Sequence, residues 1–216
     1  MKNKKVYIWI LAVIPLLMLL VVYSRLPNQV PLQWGLEGVS RYGSKRELIP
    51  LTSLNILFAL GMPVFAKIDP KRKNYRRFSG TYETMILLVE VFVVVMMGLT
   101  LVESLYPNTF SIPKAVTVLV GFLFLFLGNM MPKVKQNFFM GMKTPWALSS
   151  ETVWNKTQRL GGKMFFFGGI LMVLGSFLVR EKVLMGLLIG IAILICVVPT
   201  VMSYLWYQKE EKETEE

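Results

Sequence analysis

Two sets of residues carry the polar chemistry of this chain. One is a single acid, Glu90, inside a long apolar run. A carboxylate at that depth costs at least about 2.5 kcal/mol on insertion scales, so it must face other protein and find a partner or a proton. Asn55, Asn129 or a backbone group would serve as that partner, and a proton or ion relay is the alternative use. Glu83 stands seven residues earlier, within reach of Arg76 and Arg77 for a surface ion pair. The second set lies between residues 128 and 162: Asn129, Pro132, Lys133, Asn137, Gly141, Lys143, Thr144, Pro145, Trp146, Trp154, Thr157 and Arg159. Amides, cations, an indole and a rigid Thr-Pro-Trp turn suit recognition by hydrogen bond and charge. They do not make a reaction.

The usual catalytic parts are absent from the sequence. It has no histidine, the commonest general base and metal ligand, and its one cysteine, Cys196, sits in an apolar block. No phosphate-cradling loop and no nucleophile paired with a base is present. The chain therefore reads as a non-enzyme without cofactor or metal. An intramembrane enzyme resting on Glu90, Glu83 or Asn129 is the weakest alternative.

The elements that must position these residues follow from composition. Hydrophobic residues make up 54% of 216, in blocks longer than a small soluble core can bury. The reading is an all-α, polytopic membrane bundle of about six transmembrane helices in one domain. The spans are expected near residues 6–23, 48–65, 84–102, 115–131, 164–179 and 183–207. Pro50, Asn55 and Pro63 weaken the second, where a break or re-entrant turn is expected as an alternative. The charge of +11 could suggest nucleic acid, but in a membrane chain it first reports orientation. Of the 24 Lys and Arg, 17 fall before the first span, in residues 66–82, in the featured loop and in the tail, and 7 fall on the other side. Both termini are therefore expected in the cytoplasm, and residues 24–47 outside.

Residues 24–47 are punctuated by Pro27, Pro31, Gly35, Gly38 and Gly43, with Val30, Leu32 and Trp34 alternating as in a short extended piece. Residues 66–82 form a basic loop. In the loop at 132–163, Ser149 and Ser150 are expected to cap a short amphipathic helix with Val153, Trp154, Thr157 and Leu160 on one face. Gly161 and Gly162 would end it, leaving it on the inner leaflet as a brace or a docking surface. Gly186 and Gly190 have the spacing of a close-packed helix face, with a homo-oligomer as an optional use. The acidic tail, 209–216, is expected to be disordered.

The featured loop resembles the signature of the SdpI family, bacterial membrane proteins that protect producing cells against the sporulation-delaying peptide toxin. The matching residues are Gly128-Asn129, Pro132-Lys133, Asn137, Gly141, Thr144-Pro145-Trp146, Leu148, Val153-Trp154, Thr157 and Arg159. The outer segment Leu26-Pro27, Val30-Pro31, Trp34, Gly38 and Lys45 is similar to the domain of unknown function that often precedes that signature. Two departures stand out: Met142-Lys143 where an aliphatic residue and Arg are expected, and Gln158 where His is frequent. Lys keeps charge without the forked donor geometry of Arg.

The resemblance implies a bacterial plasma-membrane immunity protein. Its outer residues Leu26, Pro27, Val30, Pro31, Trp34, Gly38 and Lys45 would meet a peptide toxin. Its inner loop would hold a small cytosolic DNA-binding repressor, with no nucleic acid bound directly and the lipid bilayer as the constant partner. The rival reading is a small transporter or proton-coupled exporter built on Glu90.

Overall fold

The computed structural model describes residues 2–35 and 38–215. Six of its helices are long and apolar enough to cross a membrane. In chain order the elements are α1 (Lys2–Val22), β1 (Gln29–Gly35), β2 (Gly38–Ser44), α2 (Leu48–Ile68), α3 (Arg72–Tyr75), α4 (Ser79–Leu105), α5 (Ile112–Met130), α6 (Pro145–Ser149), α7 (Glu151–Leu178) and α8 (Glu181–Glu215). The chain is thus an α-helical membrane bundle carrying one small hairpin.

The extended piece expected around Val30 is half of a two-stranded antiparallel sheet in which Val30 faces Gly43 and Trp34 faces Val39. Gly38 takes φ +106, a conformation glycine adopts without penalty. A capping box closes the hairpin: Ser44 Oγ accepts from Arg46 N, and Glu47 Oε1 accepts from Ser44 N at 2.9 Å. The hairpin does not hang free. Leu26 and Val30 pack on Leu19, Leu48, Met97 and Leu101.

α2 is unbroken, against the re-entrant alternative. Pro50 falls in its first turn, where an N–H has no helical partner to lose, and the helix continues through Pro63 to Ile68. The spans are also longer than the sequence pattern suggests, because helix continues through polar residues at the basic end.

Two halves are visible in the packing. α1 lies against α2 and α4, and α7 lies between α5 and α8. The α5–α7 contact is the tightest. A β-carbon at Gly128 would sit 2.6 Å from the Gly162 carbonyl oxygen, and one at Gly169 would sit 2.5 Å from that of Gly121. Gly121 and Gly128 are two turns apart, as are Gly162 and Gly169, so antiparallel backbones meet at two levels.

Three expectations are overturned here. Gly161 and Gly162 do not end a short surface helix; α7 runs through them as one 28-residue helix into the fifth span. They serve packing, since a β-carbon on either would strike Met142, Met131 or the Gly128 carbonyl. Gly186 and Gly190 have nothing within 4 Å of a β-carbon, so close packing against α8 uses Gly168 and Gly175 of α7 instead. The tail is helical through Glu215 as a continuation of α8, held by a Lys209–Glu213 ion pair at 3.7 Å and by the Ser150 hydroxyl, which donates to Glu210 Oε2 at 2.6 Å.

Candidate functional site

With six crossings the two termini lie at one end of the bundle. Lys4 Nζ donates to Thr84 Oγ1 at 2.7 Å, and Arg77 pairs with Glu151 at 3.5 Å, which ties the basic segments of that end together.

The loop between α5 and α7 is built from these contacts inward. Proline at 132 allows one 3-10 turn, Met131–Lys133, and the chain then runs extended past Val134. Asn137 is fully buried and acts as the loop's internal template. Its Oδ1 accepts from Phe139 N at 2.9 Å and Met140 N at 2.7 Å, and its Nδ2 donates to Lys135 O at 2.8 Å and Met140 O at 3.0 Å. Tyr75 Oη adds a fifth bond at 3.1 Å. An isolated amide side chain replaces a strand's worth of backbone pairing here.

Gly141 follows at φ +95, beneath Gln158, whose Oε1 would lie 2.7 Å from a β-carbon there. Gln158 then grips one residue from both sides: Oε1 accepts from Met142 N at 3.1 Å, and Nε2 donates to Met142 O at 2.8 Å. Its amide supplies donor and acceptor at once, without needing a defined protonation state. Thr144 caps α6 by accepting from Ala147 N at 3.1 Å, and its hydroxyl shares a 2.8 Å bond with Ser203 of α8. Trp146 lies against the Tyr204 ring, centroids 5.0 Å apart.

The wall opposite is the 66–82 segment, which the sequence reading took as a topological signal alone. Asp69 is buried, with no cation paired to it among the described residues, yet it is satisfied. Its Oδ1 accepts from Lys71 N at 2.7 Å, and its Oδ2 accepts from Tyr75 Oη at 2.9 Å and Phe138 N at 2.8 Å. Burial, with the Asp69 carboxylate beside it, holds the Tyr75 phenol well above its ordinary range. Gln136 Nε2 donates to the Ala147 and Leu148 carbonyls at 2.9 Å each, its Oε1 accepts from Lys71 Nζ, and its own carbonyl accepts from Asn74 Nδ2 at 2.7 Å. Asp69, Tyr75, Asn74 and Gln136 were missed. The available signal was Asp69 itself, the one acid among six basic residues, followed by proline as in an Asx turn.

The expected docking residues divide by burial. Asn137, Thr144, Trp154 and Thr157 are inside, so they shape the loop and offer no surface. Asn129, Pro132, Lys133, Lys143, Pro145 and Arg159 are exposed, with Gly141 and Trp146 half-buried. Trp154 faces inward because α7 is part of the bundle and does not lie on a leaflet.

At the far end the expected outward set divides as well. Leu26, Val30 and Pro31 are buried toward the bundle, Trp34 and Gly38 are half-buried, and Pro27 is exposed. Lys45 points back, donating from Nζ to Tyr23 O at 3.2 Å and Leu26 O at 3.1 Å. The exposed side of the hairpin is formed by Gln33, Ser40, Arg41 and Tyr42, with Arg41 paired to Glu47 at 2.7 Å.

Glu90 is fully buried, and neither carboxyl oxygen makes a standard hydrogen bond. Asn55, a partner expected from the sequence, makes no standard hydrogen bond to it. Asn55 Nδ2 itself donates to Ala12 O at 3.5 Å. Glu83 is buried without an ion pair among the described residues, contrary to expectation, because Arg77 turns to Glu151 instead.

Residues 133–203, which span the locked loop and the α7–α8 pair, match the SdpI/YfhL protein family. The match covers about a third of the chain. Residues 10–55, covering most of α1, the hairpin and the start of α2, match a domain of unknown function, DUF1648. The chain is also similar to the immunity protein SdpI of Bacillus subtilis (strain 168), at 26% identity over 190 residues, 88% of this chain and 89% of that one. No solved structure matches it. The SdpI/YfhL segment thus contains most of the loop's internal fasteners, and the protein is a multi-pass bacterial membrane protein.

Proposed function

We propose that this protein is an SdpI-type immunity protein. It protects the cell that carries it against a peptide toxin, and it signals the toxin's presence by holding a cytosolic autorepressor at the membrane. The reading rests on the similarity to SdpI, which runs across both ends of the bundle and is not confined to one motif. The geometry adds support. The hairpin end exposes Gln33, Arg41 and Tyr42, and the basic end exposes Lys133, Lys143 and Arg159 on a loop fixed from within. A rigid, cationic surface suits a protein partner of acidic character.

Toxin challenge tests the first half. A sensitive bacterium expressing the protein should survive the native host's toxin better than an empty-vector strain, and equal survival would sink the proposal. A reporter under the repressor's control tests the second half. Replacing Lys133, Lys143 and Arg159 together should change reporter output on toxin addition while leaving survival in place.

A further inference from the structure

At the basic end, a cavity of 380 Å³ opens between α1, α2, α3 and α4. Its walls are apolar and buried, formed by Ile8, Ala59, Tyr82 and Ile86. Exposed Trp9 and Pro63 also line it and open it sideways, toward the acyl chains of the surrounding leaflet. Its rim carries Lys5, Lys67 and Arg76, none of them in an ion pair among the described residues. A shallower depression shares Lys67 and Arg76 and adds Arg72 and Lys73. Ser79, the first residue of α4, also lines the cavity, and the residue before it supplies no side-chain cap, so the positive end of that helix dipole is directed there.

Orientation alone would be satisfied by cations scattered over this end. Here three of them converge on the mouth of an apolar slot, and two more, Arg72 and Lys73, line the depression beside it. One further group is unmatched: Glu83 lines the cavity, is buried, and its Oε2 has no hydrogen-bond donor.

We propose that this cavity is a site for an anionic glycerophospholipid whose headgroup bears a hydroxyl. The phosphate sits among Lys5, Lys67 and Arg76, an acyl chain enters the slot beside Trp9 and Ile8, and the headgroup hydroxyl donates to Glu83 Oε2. Without that donor, Glu83 would only repel an anion, so the carboxylate selects among anionic lipids and the cations select for them.

Native mass spectrometry of the full chain in mixed micelles tests the proposal, with three lipids of equal chain length. Phosphatidylglycerol should be retained over phosphatidylmethanol, which has the charge without the hydroxyl, and both over phosphatidylcholine. Replacing Lys5, Lys67 and Arg76 by Gln should cut the preference for phosphatidylglycerol over phosphatidylcholine about tenfold or more. The charge-matched variant Lys135→Gln/Lys156→Gln/Lys163→Gln should keep that preference. Glu83→Leu should erase the difference between phosphatidylglycerol and phosphatidylmethanol. The site is disproved if wild type shows no preference over phosphatidylcholine, if the control variant loses as much as the rim variant, or if Glu83→Leu leaves the hydroxyl discrimination intact. Displacement of the lipid by soluble glycerophosphoglycerol would likewise overturn it, because the slot would then contribute nothing.

Discussion

The indole N–H of Trp154 donates to the Val134 carbonyl at 2.9 Å, and both residues are fully buried. That bond joins the first turn of α7 to the chain leaving α5, twenty residues earlier. It fixes where the intervening loop must start and finish.

Trp154→Phe should keep most of the packing and lose the bond, leaving the Val134 carbonyl without its donor, at a cost of about 1–3 kcal/mol. Trp154→Ala should cost about 3–5 kcal/mol. Thermal unfolding in one detergent gives the ranking. Limited trypsin digestion should show faster cleavage at Lys133, Lys135 and Lys143 in both variants.

Gly128→Ala and Gly186→Ala place the same methyl group in opposite settings. At Gly128 it meets the backbone of α7 and should destabilise by about 1–3 kcal/mol. At Gly186 it meets nothing, and the better helix propensity of Ala should leave stability unchanged or raised by about 0.5 kcal/mol. Equal melting temperatures for the two variants would contradict the α5–α7 contact described above.

The Tyr75 phenol binds its proton more tightly in the folded state than in the unfolded one, where its value is 10.0. Its contribution to stability is therefore fully present below about pH 10 and is lost as pH rises through the folded value. The gap between the melting temperatures of wild type and Tyr75→Phe, measured from about pH 8 to about pH 12, should narrow above about pH 10. A constant gap across that range would argue against the Asp69–Tyr75 coupling.

Glu90→Gln should leave membrane level and toxin survival unchanged, because a buried acid without a second buried charge beside it serves structure. Lost protection at a normal protein level would favour proton coupling instead.

The helices and their number were legible because apolar blocks of that length have few other uses, and the turn residues Pro27, Gly35 and Gly38 marked the hairpin region. The boundaries at the basic end were not legible. Gly161 and Gly162 look like a stop in sequence, but the stop depends on whether another helix presses against them, and Gly128 does. The tail failed in the same way: its acids look unsupported until α8 carries Glu210 to Ser150. Asn137 and Trp154 were identifiable as unusual, yet their spacing gave no indication that they point inward. Asp69 showed only a charge of the wrong sign among cations, and of its partners Tyr75 lies six residues on, in α3, while Phe138 comes from a loop 69 residues away.

Because α7 has no joint between Glu151 and Leu178, it is a stiff rod about 42 Å long. Its glycine contacts with α5, at Gly162 and Gly169, lie toward the middle and act as a fulcrum. Any rocking about that fulcrum would swing Trp154 and Leu178 in opposite senses, so the two ends of the bundle would move as a seesaw, with no relay of side chains in between.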